Sequence, residues 1–547
     1  MNASILRPCR AAAFSFVIAA AAFAAAAEPA LVVRVSSLND AEAAIRGVCA
    51  AVGQPAFAEQ PIAGLRAFAN EGCDADPSRP VVFALAGVPS SDDGVFAVPG
   101  EEPDAERLAP AFEGKTPVRG EDGVWTAPAD GDEAVEVAMV HRNGYNVFAK
   151  PRALLAEADA LLAAAPRFPG ATMEATIRGE ALRAIATDLD RSVPPAHLPF
   201  FSCETLSYGV AFDGTEGLFV AFAPTPAAAE PGVFADLAAA PALDTATALW
   251  RDDAPFAFAV SDMGRVFGRF FETFLSLASS NMVRSAAVVR ARGAGSEESD
   301  RLVRETISRA EESIRLLRTV GASSGFLAFA PDGTIESLSE SAFRDSSALD
   351  RFCKLMESGA GLPDVPTNAY SFRATDEGWA FDFNPFAGMS EEESADEVVA
   401  TMRRFYGPQG VHGVMRRIAG PGPELRVVGA TGPAGGTLPV PTGERPPDGA
   451  ALERFAPGAR RVACLQIHMV DFLKFALSPV LRGDAAAIPS GGRLRWDIGV
   501  RDAAPVGVLA VDSAELRAYF SIFMLGVSRA ATGGAPEPSG EEALFDD

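Results

Sequence analysis

Histidine, lysine, tryptophan and cysteine are all scarce in this chain of 547 residues, and each scarcity removes a class of chemistry. The four histidines, His141, His197, His412 and His468, stand far apart and never at H-x-H or H-E-x-x-H spacing, so no metal motif is written along the chain. They are expected on the surface or as satisfied core residues, with no metal. The six cysteines include no C-x-x-C pair, which removes zinc ribbons and thioredoxin-like redox centres. Trp125, Trp250, Trp379 and Trp496 are too few for a carbohydrate-stacking platform. Lysine occurs only as Lys115, Lys150, Lys354 and Lys474, and the formal net charge is −25. Without a basic stripe to neutralise phosphates, a nucleic-acid partner is excluded.

Long apolar runs are missing too. A membrane-spanning helix needs about 20 apolar residues, and the run from Ala11 to Phe23 is shorter. It follows Arg7 and Arg10 and ends in Ala25-Ala26-Ala27 before Glu28. That pattern reads as a cleaved secretory signal peptide over residues 1–27. Cys9 precedes the apolar run, so it is not a lipoprotein anchor, and Pro8-Cys9 breaks any twin-arginine pair. The next candidate, Phe267 to Val289, is interrupted by Arg269, Glu272, Asn281 and Arg284. No transmembrane anchor is expected, and the mature chain is placed in a periplasm or beyond.

Cleavage leaves Cys49, Cys73, Cys203, Cys353 and Cys464. Cys49 and Cys73 are the one close pair and the candidate disulfide, whose loop is worth about 3 kcal/mol on the chain-entropy model. The alternative is that all five are small buried apolar residues.

The chain is rich in phenylalanine, 37 residues, and 48% hydrophobic overall, enough for real cores. Short β-branched runs separated by turn pairs alternate with amphipathic helices. Asn143-Gly144 between Glu136–Arg142 and Tyr145–Phe148 predicts a type I′ hairpin. Asp213-Gly214, Asp332-Gly333 and Glu377-Gly378 mark three more. Asp262 predicts the cap of a helix through Val289. Val303, Ile307, Ala310, Ile314 and Leu317 then form one apolar stripe, giving a helical hairpin over 262–318. Residues 172–240 and 461–529 each read strand, helix, strand, strand, helix. The expected fold class is α+β, antiparallel sheets with packed helices. Two related lobes, 28–250 and 251–530, are expected, with an exposed linker at 429–450 and a disordered acidic tail at 531–547.

Several motifs fail on context. Gly321-Ala322-Ser323-Ser324-Gly325 matches the G-x-S-x-G nucleophile elbow, but it follows a helix and enters a strand, the reverse of the required order. A helix-ending loop explains it better. Gly114-Lys115-Thr116 resembles the end of a P-loop, yet Ala109 stands where the first glycine belongs and Pro117 blocks the helix start. Asp74-Ala75-Asp76 and Asp188-Leu189-Asp190 do not continue into a calcium loop. No cofactor is implied, and the catalytic residues are unassigned. The leading expectation is a noncatalytic exported protein that binds a partner or joins an envelope assembly. The alternative is a carrier or chaperone holding an apolar ligand between a curved sheet and the Phe-rich helix. A hydrolase of unfamiliar type using dispersed carboxylates ranks third.

Overall fold

The computed structural model describes residues 29–531 apart from 71–72, 87–92, 113, 128–136, 190–202, 215, 227–235, 292–296, 331, 358–368, 390–396, 419–424, 477–487 and 490. The leader, the tail beyond Ala531, Asp190 and His197 therefore lie outside the described residues.

The fold is mixed α+β, built among the described residues on one antiparallel sheet of twenty strands. The first ten are β1 Leu31–Val35, β2 Val81–Leu85, β3 Gly94–Pro99, β4 Val118–Arg119, β5 Trp125–Thr126, β6 Ala138–Arg142, β7 Tyr145–Lys150, β8 Met173–Arg178, β9 Cys203–Asp213 and β10 Gly217–Pro226. The second ten are β11 Phe256–Val260, β12 Val320–Phe329, β13 Ile335–Phe343, β14 Tyr370–Thr375, β15 Gly378–Phe383, β16 Val411–Ile418, β17 Leu425–Pro433, β18 Arg460–Ile467, β19 Leu494–Arg501 and β20 Ala504–Val511. Across the sheet the first set runs β4-β5-β6-β7-β3-β2-β1-β8-β9-β10. The second runs β14-β15-β16-β17-β13-β12-β11-β18-β19-β20, the same permutation.

The two sets meet at one seam, where β10 pairs with β20. The pairings that lead from β1 through β8 and β9 arrive at Ala221; from β11 through β18 and β19 they arrive at Val508. Ala221 and Val508 face each other at the seam, flanked by Val220 opposite Leu509 and Phe222 opposite Gly507. Backbone bonds outside the ladders repeat as well. Ser36 N–H donates to Thr172 O and Ser261 N–H to Val462 O, both at 2.9 Å; Arg178 N–H donates to Ala30 O at 3.0 Å and His468 N–H to Pro255 O at 2.8 Å.

Helices cover both faces. The front carries α1 Leu38–Ala51, α2 Glu59–Ala69 and, in the second half, α6 Met263–Ala291, α7 Glu297–Leu317 and α8 Ser346–Glu357, with α12 Ser513–Ala531 near the seam. Alternation along β10 explains the division: Leu218, Val220 and Phe222 face the front, while Phe219, Ala221 and Ala223 face back onto α10, Ala450–Phe455. Between them in sequence lie the short helices α3 Ala105–Leu108, α4 Ala158–Ala163, α5 Gly179–Leu189, α9 Glu397–Tyr406 and α11 Met469–Ala476. Helices α6 and α7 contact each other, and α12 contacts α1, β10 and α11. Among the described residues no helix is long and apolar enough to cross a membrane.

Turn chemistry sets the register. Asn143 and Gly144 take φ of 52° and 74°, the I′ geometry predicted for Asn-Gly. Asp502 and Ala503, between β19 and β20, take φ of 51° and 62°. Alanine is rare in that region, so this turn is illegible in sequence.

Several expectations are corrected. The segment expected as an exposed linker, 429–450, is strand over 429–433, the end of β17 paired with β13 and β16, and residues 435–437 and 440–445 are exposed. It then crosses the back face, where Leu438 joins the Trp250 core and Thr442 Oγ donates to Trp250 O at 2.9 Å. The helix expected near Val233–Ala240 is, in its described part, only a 3₁₀ turn at Leu237–Ala239. Gly321 and Ser323 lie inside β12 rather than in a loop. Cys49 and Cys73 are both free thiols, with Cys73 Sγ buried against Ala69 O at 3.7 Å, so the structure contains no bridge between them.

Candidate functional site

The residues expected to carry chemistry do not come together. His141 Nδ1 bonds Asn146 Oδ1 at 2.9 Å on the first hairpin. His468 Nε2 lies 3.2 Å from Asp252 O. His412 Nδ1 sits 2.7 Å from Asp382 Oδ1, across the β15–β16 pair. Asp382 also accepts from Ser371 Oγ at 3.1 Å and Arg373 Nη1 at 2.8 Å. Against the cost of partial burial, these bonds hold the Asp382 carboxyl below the usual carboxylate range. The serine here bonds the carboxylate and not the imidazole, so the cluster lacks the order of a nucleophilic triad. Asp74 pairs with Arg107 at 2.7 Å and Asp76 accepts from Ser78. Lys115 N–H closes a turn onto Phe112 O, far from the phosphate cradle its motif resembled. Among the described residues no cluster of three or more His, Cys, Asp or Glu is arranged to hold a metal.

Three buried thiols, Cys73, Cys353 and Cys464, are held in the protonated form. Burial pushes Cys73 and Cys353 up to about 11, and burial beside Asp497 pushes Cys464 up to about 12. Neutral thiols at physiological pH are poor nucleophiles.

Ser323 lines a cavity together with Gly321, Ala322 and Ser324 of the same motif. Its Oγ donates to Glu340 O at 3.2 Å and shares a 2.9 Å bond with Ser341 Oγ. No histidine is among the residues that line the cavity. The space, about 310 Å³, lies where β11 ends and β12 begins, under residues 241–248. Its polar wall comes from Ser261, Asp262, Ser324, Glu340, Arg344 and Arg426. Asp262 caps α6 by accepting from Arg265 N–H at 2.9 Å and pairs with Arg344; Arg426 Nη1 stands 2.9 Å from Glu340 Oε1. Sequence reasoning missed these groups because four strands and a loop supply them. The serine motif fell here by virtue of the bulge that its small residues permit.

The other notable surface is apolar and lies on the front. Phe57, in the 3₁₀ turn after α1, approaches Phe520 with ring centroids 6.5 Å apart, and Phe520 approaches Phe523 at the same distance. Phe57 is 57% exposed, Phe523 64% and Met524 40%. On α6, Phe271 and Phe274 are exposed in their turn, so the Phe-rich helix has an open side. At the seam, Phe222 lies over Gly507 and its ring centroid is 5.9 Å from that of Trp496, whose indole N–H is buried without a partner.

Comparison with protein-family profiles, with curated proteins and with solved structures yields no match for this chain.

Proposed function

We propose that this chain is an exported, noncatalytic binding protein of two related lobes, residues 28–250 and 251–530, which joins an envelope assembly through the apolar patch on its front face. The observation that carries the reading is the ring chain Phe57–Phe520–Phe523 with Met524 beside it. Apolar side chains clustered in the open on a molecule of net charge −25 are a contact surface waiting for a partner. The leader at 1–27 supplies the address. A duplicated unit accounts for the strand permutation that occurs twice and for the seam at which Ala221 meets Val508. In this reading α6 and α7 are the helical hairpin of the second lobe. The dispersal of serine, histidine and carboxylates supports binding over turnover.

The test is a photocrosslinking amino acid at position 523 in the native host. An envelope protein captured there, and lost with Phe57→Asp, agrees with the reading, together with a mature N-terminus at Glu28. Unchanged mass in the crosslinked sample, or an intact Met1, sinks it. A carrier for an apolar ligand is the second reading, favoured by Phe271 and Phe274 exposed on the Phe-rich helix α6. Native mass spectrometry of the host-purified protein separates the two, because only a carrier retains lipid.

A further inference from the structure

The two halves of the sheet place a serine at the same point and use it differently. In the first, Ser36 follows β1 and its hydroxyl donates to Asp40 Oδ2 at 2.9 Å. In the second, Ser261 follows β11 with the same backbone bond, is only 8% exposed, and its hydroxyl has no partner. The reason lies in the sequence. Ser37 and Asp262 are the helix caps, each accepting from the N–H three residues on, which aligns Asp40 with Arg265. The acceptor of the first half has become a donor in the second. The strands differ too: β12 slips register between Val320 and Ser323, whereas β2 stays in register with both neighbours. Such bulges open space beside strands and recur at functional sites.

Ser261 lines the cavity of about 310 Å³ that this bulge helps to form. A buried hydroxyl left without a partner is costly, and a ligand that bonds it removes that cost. The charged wall carries both signs, with Asp262 matched by Arg344, Glu340 by Arg426, and Asp244 held by Ala246 N–H and Thr247 Oγ. A simple anion entering here meets three carboxylates, and a simple cation meets two guanidinium groups. A molecule bearing both signs on neighbouring atoms finds a partner for each, since guanidinium and carboxylate retain spare donors and lone pairs after pairing once. Leu243 and Val260 supply an apolar wall beside them.

We propose that this cavity binds a small zwitterion of the free α-amino acid class. Its carboxylate meets Arg344 and Arg426, its ammonium meets Asp262, Glu340 and Ser261 Oγ, and a small apolar side chain lies against Leu243 and Val260. The test is calorimetric titration of the full mature chain with L-alanine and L-valine, using propionate and isopropylamine as single-charge controls. Saturable binding of a zwitterion is expected, at least about tenfold tighter than either control, because each control leaves one charged pair unanswered. Ser261→Ala removes one hydrogen bond to the ligand and weakens binding about fivefold, while the thermal midpoint of the unliganded protein rises because the unpartnered hydroxyl is gone. Arg426→Gln weakens it further. A zwitterion carried through purification appears as added mass in native spectra and counts in favour. Absence of both binding and retained mass on a folded protein overturns the proposal, as does propionate binding as tightly as L-alanine.

Discussion

Glu515 provides the sharpest test of how the second half is held together. It lies in the first turn of α12, is 0% exposed, and accepts from Val470 N–H at 3.0 Å, so it ties α12 to the start of α11. Its other oxygen is buried without a partner. Burial first, then Asp471 and Asp512 nearby, push its carboxyl from 4.5 up to about 7, outweighing the backbone bonds that lower it. The folded state therefore holds a proton that the unfolded chain releases. Stability from this group is full below pH 4.5 and is lost as pH rises to about 7. At about 1.4 kcal/mol per pH unit, that interval is worth about 3 kcal/mol. The carboxylates held low, such as Asp382, act with the opposite sign and below this window. Glu515→Gln keeps an acceptor for Val470 and removes the titration. Urea unfolding followed by tryptophan fluorescence at pH 5 and pH 8 should show the two proteins close at the lower pH. At the higher pH the variant should be more stable by about 2–3 kcal/mol. Parallel profiles across that interval would refute the reasoning.

Two further substitutions probe other parts of the same half. Ala503 sits at φ 62°, where a Cβ is strained by roughly 1–2 kcal/mol, so Ala503→Gly should raise the thermal midpoint by about that stabilisation. A lower midpoint would mean that the turn is not strained. The Asp497 side chain, 1% exposed, answers Arg461 and Arg495 beneath β18 and β19. Asp497→Ala leaves two guanidinium groups without it and should cost about 3–5 kcal/mol in denaturant unfolding, with Asp497→Asn losing less.

Class and local structure were legible because they are written in adjacent residues. Asn143-Gly144 fixes its hairpin through positive φ that those two residues tolerate, and the stripe from Val303 to Leu317 fixes its helix through spacing alone. The first four of the five elements expected in 172–240 and 461–529 are present as β8-α5-β9-β10 and β18-α11-β19-β20, while the closing helix is α12 in the second and, among the described residues, only a 3₁₀ turn at Leu237–Ala239 in the first. What was not legible is held by partners distant in sequence. Pairing of Gly429–Pro433 with β13 turns a Gly-rich stretch, which alone reads as linker, into a central strand. The cavity at β12 was invisible for the same reason: Ser261, Glu340, Arg344 and Arg426 make no motif until four strands bring them together. The serine motif marked the right place for the wrong chemistry, because small residues flanking a serine serve a bulge as well as a nucleophile elbow.

Where one strand order occurs twice, the informative positions are those at which the two sets differ. Packing requires both halves to keep the strand order, the backbone bonds of Ser36 and Ser261, and the capped helix after the first strand. Nothing in packing requires Asp40 in one half to be answered by Arg265 in the other, nor β12 to bulge where β2 does not. Those departures converge on a single cavity and leave one buried hydroxyl unanswered there, a cost that selection for stability alone would remove with an alanine. The retained serine is therefore the strongest argument that the second half carries a ligand which the first does not.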